Sequence, residues 1–409
     1  MPNKLMNINN CWCGSDKLNK FSEYYLKCDI CNTLIRSPRY PDEYFFVRND
    51  NQDFYGNKYW FEFQKEKYNH ANIYQRTRSD LSERCVYWLK HIFRYKIPPA
   101  NTLEIGCGHG GLVALMKKAG FNAIGTELSS WVVNYASCKF DINVLQGRVE
   151  DLNFNQKFDC IYMMDVLEHF TNPKESMETI AKLLKDDGIL VIQTPCFRET
   201  NYSYEQLVQK NDRFLEPLKA YEEHLSLFSE RGLIQLLNLI GLPFISIEPQ
   251  LFPYDIFIFA SKFPLKQHNE QKIVESLQKT GDGWLILAML DLFTSLEASK
   301  ADCEKKMKSI NKLEKWLKES EIDRAARLEA INKLSRQLEE SEADRVARLE
   351  AVNILTKQLK EMEDSNAGQL EIIENLNKQL EALENRLSLY EYKGNSTTKA
   401  KIIKFIKRL

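Results

Sequence analysis

Between about residues 100 and 265, short apolar runs alternate with stretches in which apolar residues recur every three or four positions. That alternation predicts strands separated by helices, an α/β region built around a mostly parallel sheet. Strands are expected near Thr102–Ile105, Asn122–Thr126, Val144–Gln146, Phe158–Met163 and Gly188–Gln193. Two later apolar runs, Phe244–Glu248 and Asp255–Ala260, are joined by a short proline-containing loop and read as a hairpin. The sheet should therefore have seven strands, the final pair antiparallel.

Beyond about residue 268 glycine and proline nearly vanish and a helical pattern takes over. We read 266–299 as a helical linker and 300–390 as a coiled coil. The segment Glu319 to Ile331 recurs as Glu340 to Val352, a spacing of 21 residues, or three heptads. Such a period keeps apolar side chains on one seam of a left-handed supercoil. Leu317, Leu338, Leu359 and Leu380 occupy equivalent places, although Glu342 and Arg345 interrupt the seam. A homo-oligomer held by this coil is expected; one long solvated helix is the plainer reading. At the end, residues 396–409 place Ile402, Phe405, Ile406 and Leu409 on one helical face among five basic residues. A helix of that kind suits an anionic membrane surface.

Upstream, residues 41–99 form an aromatic-rich lead-in with an amphipathic stretch from about Tyr74 to Tyr95. Residues 1–40 hold four of the ten cysteines, Cys11, Cys13, Cys28 and Cys31, as two tight pairs. Two such knuckles suit a tetrahedral structural Zn²⁺ in a ribbon too small to have its own core. The single residue between Cys11 and Cys13 departs from the commoner two. The other six cysteines are scattered, as reduced thiols are, and the N-terminus lacks an apolar leader, so a cytoplasmic protein is expected, with the basic tail allowing a peripheral position on the inner face of the membrane. A formal charge of −1, from 56 basic and 57 acidic residues, gives no support for nucleic-acid binding.

Candidate chemistry centres on Leu103-Glu104-Ile105-Gly106-Cys107-Gly108-His109-Gly110-Gly111. A strand ending in a glycine-rich turn that opens a helix presents backbone N–H groups to a ligand. The spacing of Gly106, Gly108 and Gly111 alone also fits a dinucleotide site. The acids around it argue otherwise. Glu104, before the loop, suits an ammonium and would sit badly beside a pyrophosphate. Glu127 ends the next strand, where a carboxylate can take both hydroxyls of a ribose, with Leu128 beside it to pack on a base. Val149-Glu150-Asp151-Leu152 follows the third strand, and either acid there can accept from an exocyclic amine.

In that order, followed by Phe158-Asp-Cys-Ile-Tyr-Met-Met-Asp165-Val-Leu-Glu168-His169 and Leu184-Lys-Asp-Asp-Gly188, these segments resemble class I S-adenosylmethionine-dependent methyltransferases. The resemblance implies a Rossmann-like fold over about 100–265 and S-adenosyl-L-methionine as cofactor. It places Glu104, Gly106, Gly108, Gly110, Glu127, Leu128, Val149, Glu150 and Asp165 around that cofactor. Arg148 departs from the pattern, since relatives often carry an acid there. A hydroxyl acceptor benefits from a general base, and histidine is the usual choice. His169 ends the fourth-strand motif, and His224 lies in a segment where glycan- and quinone-modifying methyltransferases also have a histidine. His109 should shape the loop. The layout is similar to bacterial methyltransferases of cell-surface polysaccharide synthesis, which implies a glycan hydroxyl as acceptor. A small quinone-like acceptor, or a scaffold without catalysis, are the rival readings.

Overall fold

The computed structural model describes residues 4–68 and 71–391. They fall into two units, one reaching to Asp302 and one beginning at Cys303. The chain opens with three short antiparallel strands, β1 (Leu18–Lys20), β2 (Tyr25–Cys28) and β3 (Leu34–Arg36). The free edge of β3 pairs with Ser226–Leu227, about two hundred residues later. Residues 1–40 are thus not a separate ribbon: Phe21, Tyr25 and Leu34 pack with Phe197, Phe214 and Leu227. Three strands of three or four residues bury too little surface alone, and the larger domain supplies the rest.

The lead-in is helical. A π-helical turn at Tyr59–Phe63 runs into α1 (Gln64–Tyr68). Asn72 caps α2 (Ile73–Asp80), its side chain accepting from the Gln75 N–H at 3.1 Å. A second π-helical turn, Leu81–Cys85, joins α2 to α3 (Val86–Phe93). Helix α3 is buried nearly all round, so the lead-in belongs to the core.

The main sheet follows the expected alternation. Its elements are β4 (Asn101–Ile105), α4 (Gly111–Lys118), β5 (Asn122–Glu127), α5 (Ser130–Phe140), β6 (Asn143–Gln146), β7 (Phe158–Met164), α6 (Pro173–Leu183) and β8 (Leu184–Pro195). After α7 (Tyr204–Gln209), α8 (Leu215–Lys219), β9 (Ser226–Leu227) and α9 (Glu230–Leu239) come β10 (Phe244–Glu248) and β11 (Asp255–Ser261). The seven strands lie in the order β10-β11-β8-β7-β4-β5-β6, with β11 antiparallel to both neighbours and the rest parallel. This is the Rossmann-like sheet the pattern predicts. The chain starts centrally at β4, winds out to β6, and returns to β7 on the other side of β4. A crevice opens at that reversal, outside the carboxyl ends of the strands.

The stretch 266–299 is not a linker. Helix α10 (Glu270–Leu277) and the first turns of α11 (Gly281–Glu391) close over the main core, burying Leu277 and Ile286 with Tyr87, Phe257 and Phe259. From Cys303 onward α11 is solvent-exposed along its described length. Residues 396–409, the expected membrane-facing tail, lie outside the described residues. Among the described residues no helix is long and apolar enough to cross a membrane.

Packing of α10 is testable. Leu277→Ala should lower the unfolding free energy by about 2–5 kcal/mol in a urea titration. The nearby Leu285→Ala, whose side chain is 69% exposed, should change it by about 0.5 kcal/mol or less.

Candidate functional site

The turn after β4 carries three glycines with positive φ, Gly106 (65°), Gly108 (51°) and Gly110 (77°). Two of them face the crevice. A Cβ on Gly106 would lie 2.8 Å from Val166 Cγ2, and one on Gly108 would lie 3.1 Å from the Trp60 ring. Gly110 does not: a Cβ there would meet Ile142 and Ala136, on the α5 side. It opens α4 in a left-handed conformation and is not among the residues that line the two cavities described next.

Two adjoining cavities lie over this turn. A smaller one, about 200 Å³, runs past Gly106, Glu127, Leu128, Val149, Glu150 and Asp165 beneath Phe46 and Tyr55. Glu127 ties the strand ends together, accepting from the Gly108 N–H at 3.0 Å and the Leu128 N–H at 2.7 Å. Of the two competing acids after β6, the structure brings Glu150 to the cavity wall and leaves Asp151 exposed. Glu150 accepts from Ser176 and lies 3.3 Å from Arg148 Nε. Arg148 also stacks on Phe46 at 4.7 Å, so its departure from the family pattern serves to hold the wall.

The larger cavity, about 720 Å³, begins at Glu104, Gly106 and Gly108 and extends to His224 and Asp255. Glu104 is 5% exposed, and its Oε2 has no hydrogen-bond partner. Burial, with Glu127 nearby, raises its pKa well above the carboxylate range. A buried acceptor left open at a cavity wall fits a ligand ammonium.

The far wall gathers titratable groups. Asp165, itself at φ 58°, accepts from Gln193 Nε2 at 3.0 Å and pairs with Arg84 at 3.1 Å. Trp88 in turn donates to Gln193 at 2.8 Å. Glu168 accepts from Thr194 at 2.8 Å, and burial together with the neighbouring Asp165 raises its pKa above the ordinary value. His169 Nδ1 lies 2.9 Å from the Glu223 carbonyl oxygen, which only accepts, so Nδ1 carries the proton. The same logic applies to His224, whose Nδ1 is 2.8 Å from the Pro217 carbonyl. Both rings keep Nε2 as acceptor, with centroids 5.2 Å apart. Burial and the neighbouring His169 push His224 down to about 3, so it is neutral at physiological pH. Glu168, His169 and His224 offer ligand atoms within 4.8 Å of one another and could also hold a cation.

Sequence reasoning passed over three contributors. Tyr59 and Trp60 of the lead-in line both cavities and Tyr55 the smaller one; Tyr59 donates to Glu223 at 2.6 Å, and Tyr55 meets His169 Nδ1 at 3.1 Å. Asp50 accepts from Ser129, Ser130 and the Trp131 N–H, fixing the start of α5. Asp255, 1% exposed, has neither oxygen partnered, and desolvation plus Asp165 raise it to about 8. The aromatic density of 54–61 was the available signal for the first. Asp255 gave none, because its burial depends on the packing of β11 against β8.

Cys11, Cys13, Cys28 and Cys31 converge, with Sγ···Sγ separations of 3.4 Å (Cys11–Cys31) and 3.7 Å (Cys13–Cys28). Four thiolates about 2.3 Å from one ion stand about 3.8 Å apart, so the set fits tetrahedral Zn²⁺ despite the short first spacing. The Cys31 thiol is drawn down to about 5, chiefly by its hydrogen bond with Cys11.

Residues 74–247, less than half of the chain, match the family described as "Methyltransferase domain". The chain is 34% identical over 105 residues to a ubiquinone biosynthesis O-methyltransferase of Actinobacillus pleuropneumoniae, covering 23% of this chain and 45% of that one. A Rickettsia bellii protein of the same name is 27% identical over 145 residues, covering 31% and 60%. An (S)-coclaurine N-methyltransferase of Papaver somniferum is 25% identical over 113 residues, covering 26% and 32%. The chain thus spans between a third and three fifths of these curated relatives. Among solved structures, magnesium protoporphyrin IX methyltransferase from Synechocystis with bound SAH matches with TM-score 0.37 and 16% identity, over 51% of this chain and 98% of that one. An S-adenosylmethionine-dependent methyltransferase from Clostridium acetobutylicum gives 0.33 and 14%, over 50% and 98%. The family match runs from α2 into β10, and the sheet over these residues and β11 has the Rossmann-like order described above.

Two outcomes follow. Asp255 has a folded pKa above its unfolded value, so its contribution to stability is complete below pH 4 and is lost as pH rises through about 8. Asp255→Asn should therefore raise the thermal midpoint more at pH 8 than at pH 4; equal shifts would contradict the assignment. Chelation at neutral pH should release one zinc per chain, read by a colorimetric indicator, and lower the thermal midpoint. Cys28→Ser should abolish that release.

Proposed function

We propose that this chain is an S-adenosyl-L-methionine-dependent O-methyltransferase acting on a sugar hydroxyl of a glycan. The observation that carries the reading is the make-up of the larger cavity. Its wall combines Asp165, Glu168, Glu223, Asp255, His169 and His224 with the stacked rings of Phe252 and Tyr254. Carboxyl groups that donate or accept, beside aromatic faces that cover C–H surfaces, are what a hydroxylated ring needs. An apolar quinone would leave those groups unsatisfied.

The smaller cavity would take the nucleoside end of the cofactor, with Glu127 at the ribose and Glu150 near the adenine amine. Glu104 would receive the ammonium. Bound there, S-adenosyl-L-methionine supplies an electrophilic methyl on sulfur. The chain's own work is to align the acceptor oxygen, exclude water and hold its proton. His169 and His224 both present a lone pair at Nε2. Glu168 Oε1 lies 4.0 Å from His169 Nε2 and would steady that imidazole once it is protonated, whereas His224 is too weak a base to keep a proton and serves to orient the hydroxyl. The cysteine cluster would hold Zn²⁺ in a structural role, four thiolates leaving no open position. The basic tail would bring the enzyme to an anionic membrane face, where lipid-linked glycans are assembled.

A second reading, a quinone-like acceptor, is favoured by the names of the relatives. Incubation with methyl-labelled cofactor and fractionated cell envelope separates the two. Label in a periodate-sensitive or glycosidase-sensitive fraction supports the glycan; label confined to extracted quinones contradicts it. His169→Ala should lower kcat by about 100-fold or more, with KM for the cofactor little changed. His224→Gln should chiefly raise the acceptor KM. Full activity in both variants would remove the histidines from the account.

A further inference from the structure

A general base needs one imidazole, yet the larger cavity holds two, built in the same way beside one carboxylate. Glu168 and His169 belong to a single helical turn after β7, Leu167–His169, and His224 arrives from the segment before β9. The two segments are tied by the Leu225 N–H, which donates to the Glu168 carbonyl at 2.8 Å. One donor atom from each of the three side chains lies within 4.8 Å of the other two. All three residues line the cavity.

What surrounds them is the outer shell of a metal site. A metal-ligating histidine gives its second ring N–H to a carbonyl or carboxylate, which fixes the tautomer and aims the free nitrogen. Here His169 Nδ1 is 2.9 Å from the Glu223 carbonyl oxygen, and His224 Nδ1 is 2.8 Å from that of Pro217. Among the described residues neither Nε2 has a hydrogen-bond partner. Glu168 is held through Oε2 by Thr194, while its Oε1 lies 4.0 Å from His169 Nε2. Ligands about 2.1 Å from one ion stand about 3–3.4 Å apart, so closing the set asks shifts of about 1 Å or less.

The ligand types choose the ion. Two imidazoles and one carboxylate suit Zn²⁺, Fe²⁺, Co²⁺ or Ni²⁺, whereas Mg²⁺ and Ca²⁺ prefer oxygen alone. Three protein ligands leave positions open toward the cavity, so an ion here exchanges, unlike one enclosed by the four cysteines. We propose that Glu168, His169 and His224 bind a divalent transition-metal ion, which shuts off methyl transfer by occupying the Nε2 lone pairs. Binding of the ion stands on the geometry alone. Its inhibitory effect rests on the acceptor reading above, in which His169 takes the proton of the hydroxyl.

The test uses the full chain, loaded with zinc at the cysteines and dialysed to one zinc per chain. Titration with Co²⁺ should give weak visible d–d bands that saturate at one further equivalent, without the near-ultraviolet charge transfer of thiolate ligands. Glu168→Gln and His224→Gln should each weaken Co²⁺ binding by about tenfold or more. Thr194→Val, which removes only the hydrogen bond to Glu168, should weaken it by about tenfold. Retained zinc and retained binding of S-adenosyl-L-methionine show that each variant is folded. No bands in the wild type, or the same midpoint in both ligand variants, would overturn the site. With methyl-labelled cofactor and cell envelope, label transfer should fall by about tenfold over the Co²⁺ range in which the bands grow. Transfer that is unchanged or raised at saturation would overturn the inhibition and leave the acceptor reading standing. No transfer even without Co²⁺ would remove that reading and the inhibition together, and the bands would still decide the site.

Discussion

A buried carboxyl group with one oxygen unsatisfied is the constraint around which the catalytic unit is organised. Glu104 stands near the end of the central strand, 5% exposed, on the wall of the larger cavity and with Oε2 buried and unpartnered. Such a group is costly unless something cationic completes it. The glycines after it let backbone, in place of side chains, line the approach, and Glu127 fixes that backbone through the Gly108 N–H. The two acids thus do different work: one binds the loop to its neighbouring strand, and the other waits for a charge.

The elements flanking the sheet make that arrangement possible. The lead-in folds Tyr55, Tyr59 and Trp60 over the strand ends, and the segment before β9 is locked to it by Tyr59 and Glu223. The small sheet of β1–β3 borrows β9 as its fourth strand. The cysteine segment and the residues that follow His224 are therefore joined through β3 and β9, while α3 of the lead-in packs on the other face of the main sheet. An ion held by the cysteines would stiffen the segment that carries His224, a structural route from Zn²⁺ to the acceptor side.

Much of this was legible in the sequence because periodicity and sheet geometry share a cause. Strands buried on both faces read as short apolar runs, and those of β4–β8 fell within a few residues of expectation; β8 began earlier, since Leu184–Asp187 continue the strand ahead of Gly188. Glycine spacing did not separate Gly106 and Gly108, which face the crevice, from Gly110, which packs beside α5. The same limit hid Asp255 and Asp50, exposed-looking acids whose roles come from tertiary packing. The stretch 266–299 misled for a related reason: absence of glycine and proline marks a helix, but not whether Leu277 and Ile286 lie inside.

The cofactor site is the account's central claim, and isothermal titration of S-adenosyl-L-methionine in buffers of different ionisation enthalpy tests it most directly. Burial raises the pKa of Glu104 and an ammonium seated beside it would lower it again, so binding should release protons. The wild type should bind with a buffer-dependent enthalpy near pH 7, and Glu104→Gln should bind more weakly with that dependence removed. Absence of binding in the wild type, or the same affinity and buffer dependence in Glu104→Gln, would contradict the site described.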